Sequence, residues 1–191
     1  MLSGALIFLI QTVLGLFVVA LLLRFYLQWA RAPHRNPLSD FLHALTDFMV
    51  RPARRFVPGL WGLDLATLLL AWLVQFVEIL IVLQIQNFAP AQMAGPALGS
   101  AALLALVLLM KFGLYIVMVA ILMQVVLSWI GPHSPLMPLL NGMTRPVLRP
   151  LQRRIPPIGN VDLSPLFVLV LIQLLLMLPV AWLELTVPRL F

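Results

Sequence analysis

The chain is expected to be an all-α membrane protein, with about four transmembrane helices arranged as two parallel-topology repeats. Three observations lead there. It is 63% hydrophobic, only 9% charged and of mean hydropathy +1.09 over 191 residues, which no soluble domain of this length matches. Four apolar stretches, near 5–23, 65–86, 97–130 and 163–187, approach or exceed the ~20 residues a span requires. A motif also occurs twice: Arg51-Pro52-x-x-Arg55-x-x-Pro58 with Asp64-Leu65, and Arg149-Pro150-x-x-Arg153-x-x-Pro156 with Asp162-Leu163. The offset is constant, since 149 − 51 and 162 − 64 both equal 98, and Pro37, Leu38 and Thr46 return as Pro135, Leu136 and Thr144.

The first stretch has neither a basic n-region before it nor a small-residue cleavage site after it, so it is expected to be a retained span and not a signal peptide. The connection that follows carries Arg31 and Arg35. Asn36-Pro37 then reads as an N-cap with proline at the first helical position. Over 37–50, Leu38, Phe41, Leu42, Leu45, Phe48 and Met49 share one face at helical period, with Ser39, Asp40, His43, Thr46 and Asp47 opposite. Too short to span, this segment is expected to lie in the interface plane as an amphipathic helix. Pro52 should end it and open an elbow over 51–58, with Arg51 at the helix C-terminus. Asp64 precedes the second span, where it either caps the helix or pairs with Arg55.

Repeat 1 thus covers 1–90, and an uncharged outer linker covers 91–97. Repeat 2 covers 98–191, with its elbow at 149–156. Ser134-Pro135 stands where copy one has Asn36-Pro37. Leu136, Leu139, Leu140, Met143 and Val147 keep the apolar face, but Pro138, Gly142 and Pro146 predict a shorter or broken helix. Asp162 repeats the choice between capping and pairing, here with Arg153. The third stretch exceeds one upright span, so it should tilt, protrude or begin with a surface-lying piece over 97–110. Trp29, Trp61 and Trp129 stand at span ends, as interfacial aromatics do.

Charge sets the orientation. Nine of the twelve basic residues fall in the two connections within the repeats: Arg31, Arg35, Arg51, Arg54, Arg55, Arg145, Arg149, Arg153 and Arg154. Those loops should face the cytoplasm of a bacterial inner membrane, with both termini and the middle linker outside. Near the membrane, such arginines favour anionic headgroups over nucleic acid. The expected binding positions are Arg51, Pro52, Arg54, Arg55, Asp64, Arg149, Pro150, Arg153, Arg154 and Asp162. They would serve lipid or a membrane-protein partner, which includes a second copy of the chain.

Within the apolar runs, Glu78 and Lys111 stand out as costly charges. They would pair with each other, or Lys111 would snorkel outward, or they would line an ion path. Arg24, near the end of span one, is expected to snorkel to the headgroups. With no cysteine, no phosphate-cradling glycine loop and no His-x-x-x-His pair, no catalytic set, metal site or cofactor is expected. His43 is at most a weak candidate for a haem or metal ligand, and His34 and His133 lie in loops.

Two copies of span, Asn/Ser-Pro-Leu, Arg-Pro-x-x-Arg, Pro, Asp-Leu and span resemble the YggT/YlmG family of small integral membrane proteins, in its two-copy form. The resemblance covers essentially the whole chain. It implies a non-enzymatic membrane protein, and bacterial relatives are linked to osmotic tolerance, potassium uptake and cell-division or nucleoid organisation. A chloroplast branch resembles an assembly factor for haem attachment. The expected function is therefore a scaffold or assembly factor acting through basic cytoplasmic loops. The alternatives are a channel- or transporter-like part in potassium or osmotic balance and, more weakly, haem or cytochrome assembly.

Overall fold

The computed structural model describes residues 2–33, 36–57, 59, 63–86, 96–131, 134–154 and 162–189. These form helices α1 (Leu2–Trp29), α2 (Pro37–Ala53), α3 (Leu65–Ile85), α4 (Pro96–Ile130), α5 (Met137–Gln152), α6 (Ser164–Leu175) and α7 (Ala181–Thr186). A π-turn at Leu176–Val180 joins α6 to α7, and a 3₁₀ turn at Val187–Arg189 follows. Four helical segments are long and apolar enough to cross a membrane: α1, α3, α4 from Leu98, and the rod Ser164–Thr186. The chain is a multi-pass membrane protein by that measure. Trp61, His34, His133, Pro58, Pro156 and most of the 91–97 linker lie outside the described residues.

Between apolar helices in lipid, close packing replaces the hydrophobic effect as the cohesive force, which favours small residues at contacts. Ala20, Ala66, Ala71, Ala101, Ala105 and Ala120 are all buried. α4 takes part in all four buried clusters. Its Leu109 packs with Val18, Leu21 and Leu22 of α1 and Ala71 of α3. Its Ala120 packs with Leu27 of α1, Leu42 of α2 and Leu140 of α5. Its Ile121 meets Leu148 of α5 and Val168 and Ile172 of α6. Its Val107 meets Val180 and Val187. The other helices are thus arranged around α4.

Several local expectations change. α4 is one unbroken 35-residue helix, roughly 52 Å long at 1.5 Å per residue; no surface-lying piece over 97–110 exists. α2 runs through Pro52 to Ala53, three residues beyond the expected end at 50. Proline removes a single backbone bond in the last turn, and the turn closes without it through Arg54 N–H to the Val50 carbonyl at 3.0 Å. α5 is likewise continuous, with Pro146 and Pro150 inside it, and begins at Met137 because Pro138 takes the first-turn position. Ser134 accepts from the Leu136 N–H at 3.3 Å in the turn before the helix, and no side chain caps α5. The π-turn contains Pro179, whose missing N–H is a common origin of such a bulge.

Candidate functional site

The expected N-cap forms at α2: Asn36 accepts from the Ser39 N–H at 2.8 Å, with proline following. Toward the other helices α2 turns a stripe that runs partly through its polar face. Ser39, Leu42, Thr46 and Val50 are buried, while Phe41 and Phe48 are 60% and 69% exposed. The buried stripe includes Ser39 and Thr46, two residues assigned to the polar face, because α1 presents Arg24 to it. Arg24 is 6% exposed. Its guanidinium donates to the Thr46 hydroxyl at 2.7 Å and to the Asp47 carboxylate at 2.7 Å. It therefore does not snorkel; an acidic partner on α2 holds it inside. Burial alone would raise the Asp47 pKa, but Arg24 and then Arg51 outweigh it and lower it. Arg51 itself reaches Asp47 at 2.7 Å, and His43 stands 3.6 Å from the same carboxylate, half exposed. No cluster able to hold a metal occurs among the described residues.

Both expected roles of Asp64 are filled at once, though with a different arginine. Asp64 accepts from the Thr67 N–H at 3.4 Å and the Thr67 hydroxyl at 2.5 Å, which caps α3. It also pairs with Arg54 at 2.5 Å, whereas Arg55 makes no ion pair among the described residues. Burial pushes its pKa up, but Arg54 and Thr67 prevail and hold it below the ordinary carboxylate value. In the second half, Asp162 accepts from the Ser164 N–H and from the Gln152 amide, each at 2.8 Å. Arg153 is not its partner. The clasp positions still correspond: 152 − 54 and 162 − 64 both equal 98. The buried threonines correspond too, Thr46 donating to the Leu42 carbonyl at 2.6 Å and Thr144 to the Leu140 carbonyl at 2.9 Å. The clasps were out of reach of motif matching because the motif arginines, Arg55 and Arg153, stand one residue beyond the clasp positions 54 and 152.

Both Arg-Pro motifs lie within helices, Pro52 in α2 and Pro150 in α5, and stand near the C-terminal end of α1. Arg54 shares a recess with Arg24 and Gln28. Arg149, Pro150 and Arg153 share another, of about 530 Å³, with Trp29, Arg31 and Arg145. Arg31 enters that recess from an unusual backbone position. Its N–H donates to the Gln28 carbonyl at 3.1 Å and the Ala32 N–H to the Leu27 carbonyl at 3.0 Å, the paired bonds of a Schellman C-terminus. Arg31 occupies the left-handed position with φ 52°, where glycine is the default and another L-residue costs roughly 1–2 kcal/mol. A close approach fixes the turn: a Cβ on Gly142 of α5 would meet the Ala32 Cα at 3.1 Å. The Tyr26 hydroxyl donates to the Met143 carbonyl at 2.6 Å beside it.

Deeper in the bundle, the expected Glu78–Lys111 pair gives way to another. Lys111 Nζ lies 2.7 and 2.9 Å from the two carboxylate oxygens of Glu184. Glu184 lies inside the fourth apolar stretch and escapes a reading that notes only the mid-run charges. The π-turn and α7 both pack on α4, which brings this carboxylate to the lysine. Glu78 is 8% exposed, and its Oε2 has no hydrogen-bond partner.

The family model described as CCB3/YggT matches residues 3–85 and again 103–183. The chain is 32% identical over 174 residues to the uncharacterized protein YggT of Escherichia coli K12, covering 90% of this chain and 87% of that one. It is 33% identical over 179 residues to an uncharacterized protein of Pseudomonas aeruginosa, covering 93% and 89%. An uncharacterized protein of Vibrio alginolyticus is 31% identical over 167 residues, covering 87% and 88%. No solved structure matches the chain. With two matches that together span most of its length, the chain belongs to the CCB3/YggT family.

Proposed function

We propose that this is a non-enzymatic scaffold or assembly factor of the bacterial inner membrane, working through a basic cytoplasmic face. That face is built from two copies of one unit in parallel topology: span, interfacial helix, Arg-Pro elbow and span. The observation that carries the reading is the correspondence at an offset of 98. The positions whose contacts match between the halves are the clasps and the buried threonines beside them, not residues inside the spans. Lys111, Glu78 and Glu184 have no ionisable counterparts, since positions 13, 176 and 86 hold Val, Leu and Gln. Arg54 and Gln152 are spent holding Asp64 and Asp162. Arg55, Arg153 and Arg154 are exposed and make no ion pair among the described residues, so they are free to bind. The arginine-rich end faces the cytoplasm by the positive-inside tendency, which leaves both termini outside. The exposed Phe41, Leu45 and Phe48 of α2 suit a helix lying among lipid at the interface.

Photo-crosslinking in living cells tests this, with probes at Ala53 and Leu151 followed by mass spectrometry. A discrete protein captured by the native chain and lost in Arg55→Ala with Arg153→Ala, while the variant still inserts, supports the scaffold. Unchanged capture in the double variant overturns it.

A second reading, a channel- or transporter-like part in potassium or osmotic balance, draws on Glu78, a buried carboxylate with an unpartnered oxygen inside α3. It requires ion flux in liposomes holding this protein alone, altered by Glu78→Gln. Silent liposomes would remove it.

A further inference from the structure

The recess at the end of α1 holds the largest group of unneutralised charge among the described residues. Arg145 and Arg149 on α5 and Arg153 at its C-cap follow at intervals of four, which aligns them as one ridge. At 1.5 Å per residue the ridge is about 12 Å long. Arg31 faces it from the Schellman turn, and no carboxylate lines the recess. None of the four arginines makes an ion pair among the described residues, whereas Arg24 and Arg51 share Asp47 and Arg54 pairs with Asp64. In the first basic cluster only Arg55 is left over among the described residues, whereas the second is wholly unpaired. The second is also built: Arg31 is held in a left-handed position at a cost, and Gly142 lets α5 come close enough to keep it there. Strain retained at one position of an otherwise regular chain is a mark of function.

Four guanidinium forks without a counter-charge call for an anion with several acceptor oxygens. A single phosphate engages one or two of them, and a ridge of this length leaves room for a second. Trp29 lies on the wall of the recess, at the end of a span helix, the depth at which aromatic residues meet headgroups. We infer that this recess is a binding site for the headgroup of an anionic lipid that carries two phosphodiesters. The inference rests on the membrane orientation given above and deepens it: one elbow is a lipid anchor, while the other is left for a protein partner.

Lipid retention by the intact protein, read by native mass spectrometry, tests the site. The protein is released from bilayers containing either a two-phosphate anionic lipid or twice its mole fraction of a single-phosphate one, so that total lipid charge is equal. At least tenfold preferential retention of the two-phosphate lipid is expected, falling tenfold or more in Arg145→Gln with Arg149→Gln. Arg149→Lys, which keeps the charge but loses the fork, should lose part of the preference. Gly142→Val, which changes no charge but displaces the Arg31 turn, should lower it as well. If Gly142→Val does not fold, Arg149→Lys decides alone. Equal retention of the two lipids, or native-like retention in the glutamine variant, overturns the inference. Displacement of the lipid by millimolar inorganic phosphate overturns the lipid as ligand and identifies free phosphate. Crosslinking from Ala53 with Arg55→Ala alone leaves this recess untouched, so failure of the lipid site leaves the scaffold standing, and the reverse.

Discussion

Replacing Glu184 by Gln leaves Lys111 without its carboxylate partner inside an apolar run. Lys111 is 15 residues from the start of α4 and 19 from its end (111 − 96 and 130 − 111), or roughly 22 and 28 Å along the helix. An unpaired lysine at a span centre costs about 2.5–3.5 kcal/mol. The two side chains are 29% and 23% exposed, which leaves the lysine stem some freedom to lean outward, so a loss of about 2 kcal/mol is expected. For a chain of this size that corresponds to about 4–8 °C in Tm, measured by thermal unfolding in detergent micelles. Lys111→Met alone should cost a similar amount by leaving the carboxylate stranded. The double variant should recover most of it, giving a coupling of at least about 1 kcal/mol. Glu78→Gln, by contrast, should show no coupling to Lys111→Met. Additive single effects, or a Glu184→Gln protein within about 0.5 kcal/mol of native, would refute the pairing.

Three further outcomes follow from the geometry. Arg24→Met leaves Asp47 and Thr46 without their buried partner, and a loss of about 3 kcal/mol is expected in chemical denaturation of the micellar protein; a neutral result would mean Arg24 is not enclosed as described. Asp64 has its pKa lowered on folding, so its contribution is present above the ordinary carboxylate value near 4 and disappears as pH falls below it. Arg54→Ala should move the onset of acid unfolding upward and cost about 1 kcal/mol at neutral pH, kept small because Arg54 is half exposed; an unshifted onset would show that Thr67 alone holds the carboxylate. Pro179→Leu should let the π-turn relax to regular α-helix, turning α7 by about 100° and removing Glu184 from Lys111. The Lys111–Glu184 coupling of the double-mutant cycle should then be present in the native background and absent with Pro179→Leu.

Span number, the N-cap at Asn36 and the capping of α3 by Asp64 were legible in the sequence because each is a local signal. Hydrophobic length, an Asn-Pro pair and an Asp before an apolar run need no knowledge of the fold. What failed was tertiary. The inward face of α2 could not be found from periodicity, because Arg24, 22 residues away from Thr46, makes a polar stripe the better one to bury. Proline at 146 looked like a break in α5, yet packing of Leu139, Leu140, Met143 and Leu148 keeps the helix whole. Lys111 was matched to the wrong carboxylate because a π-turn changes which face of the last span points at α4, and no periodic template contains that step.

The lengths of α3 and α4 differ in a way that bears on bilayer thickness. α3, at 21 residues, is about 31 Å long, close to the hydrocarbon depth of an ordinary membrane. α4 exceeds that depth by some 20 Å and is indifferent to modest changes in it. The two are packed together, and Trp72 of α3 donates to the Ala102 carbonyl of α4 at 3.0 Å. When the bilayer thins or thickens, α4 can tilt or protrude at little cost, but α3 has no slack at either end. Mismatch is therefore felt at the start of α3, where Asp64, Thr67 and Arg54 close its first turn. The clasp that ties α2 to α3 is thus also where a change in membrane thickness reaches the arginine-rich end of the molecule.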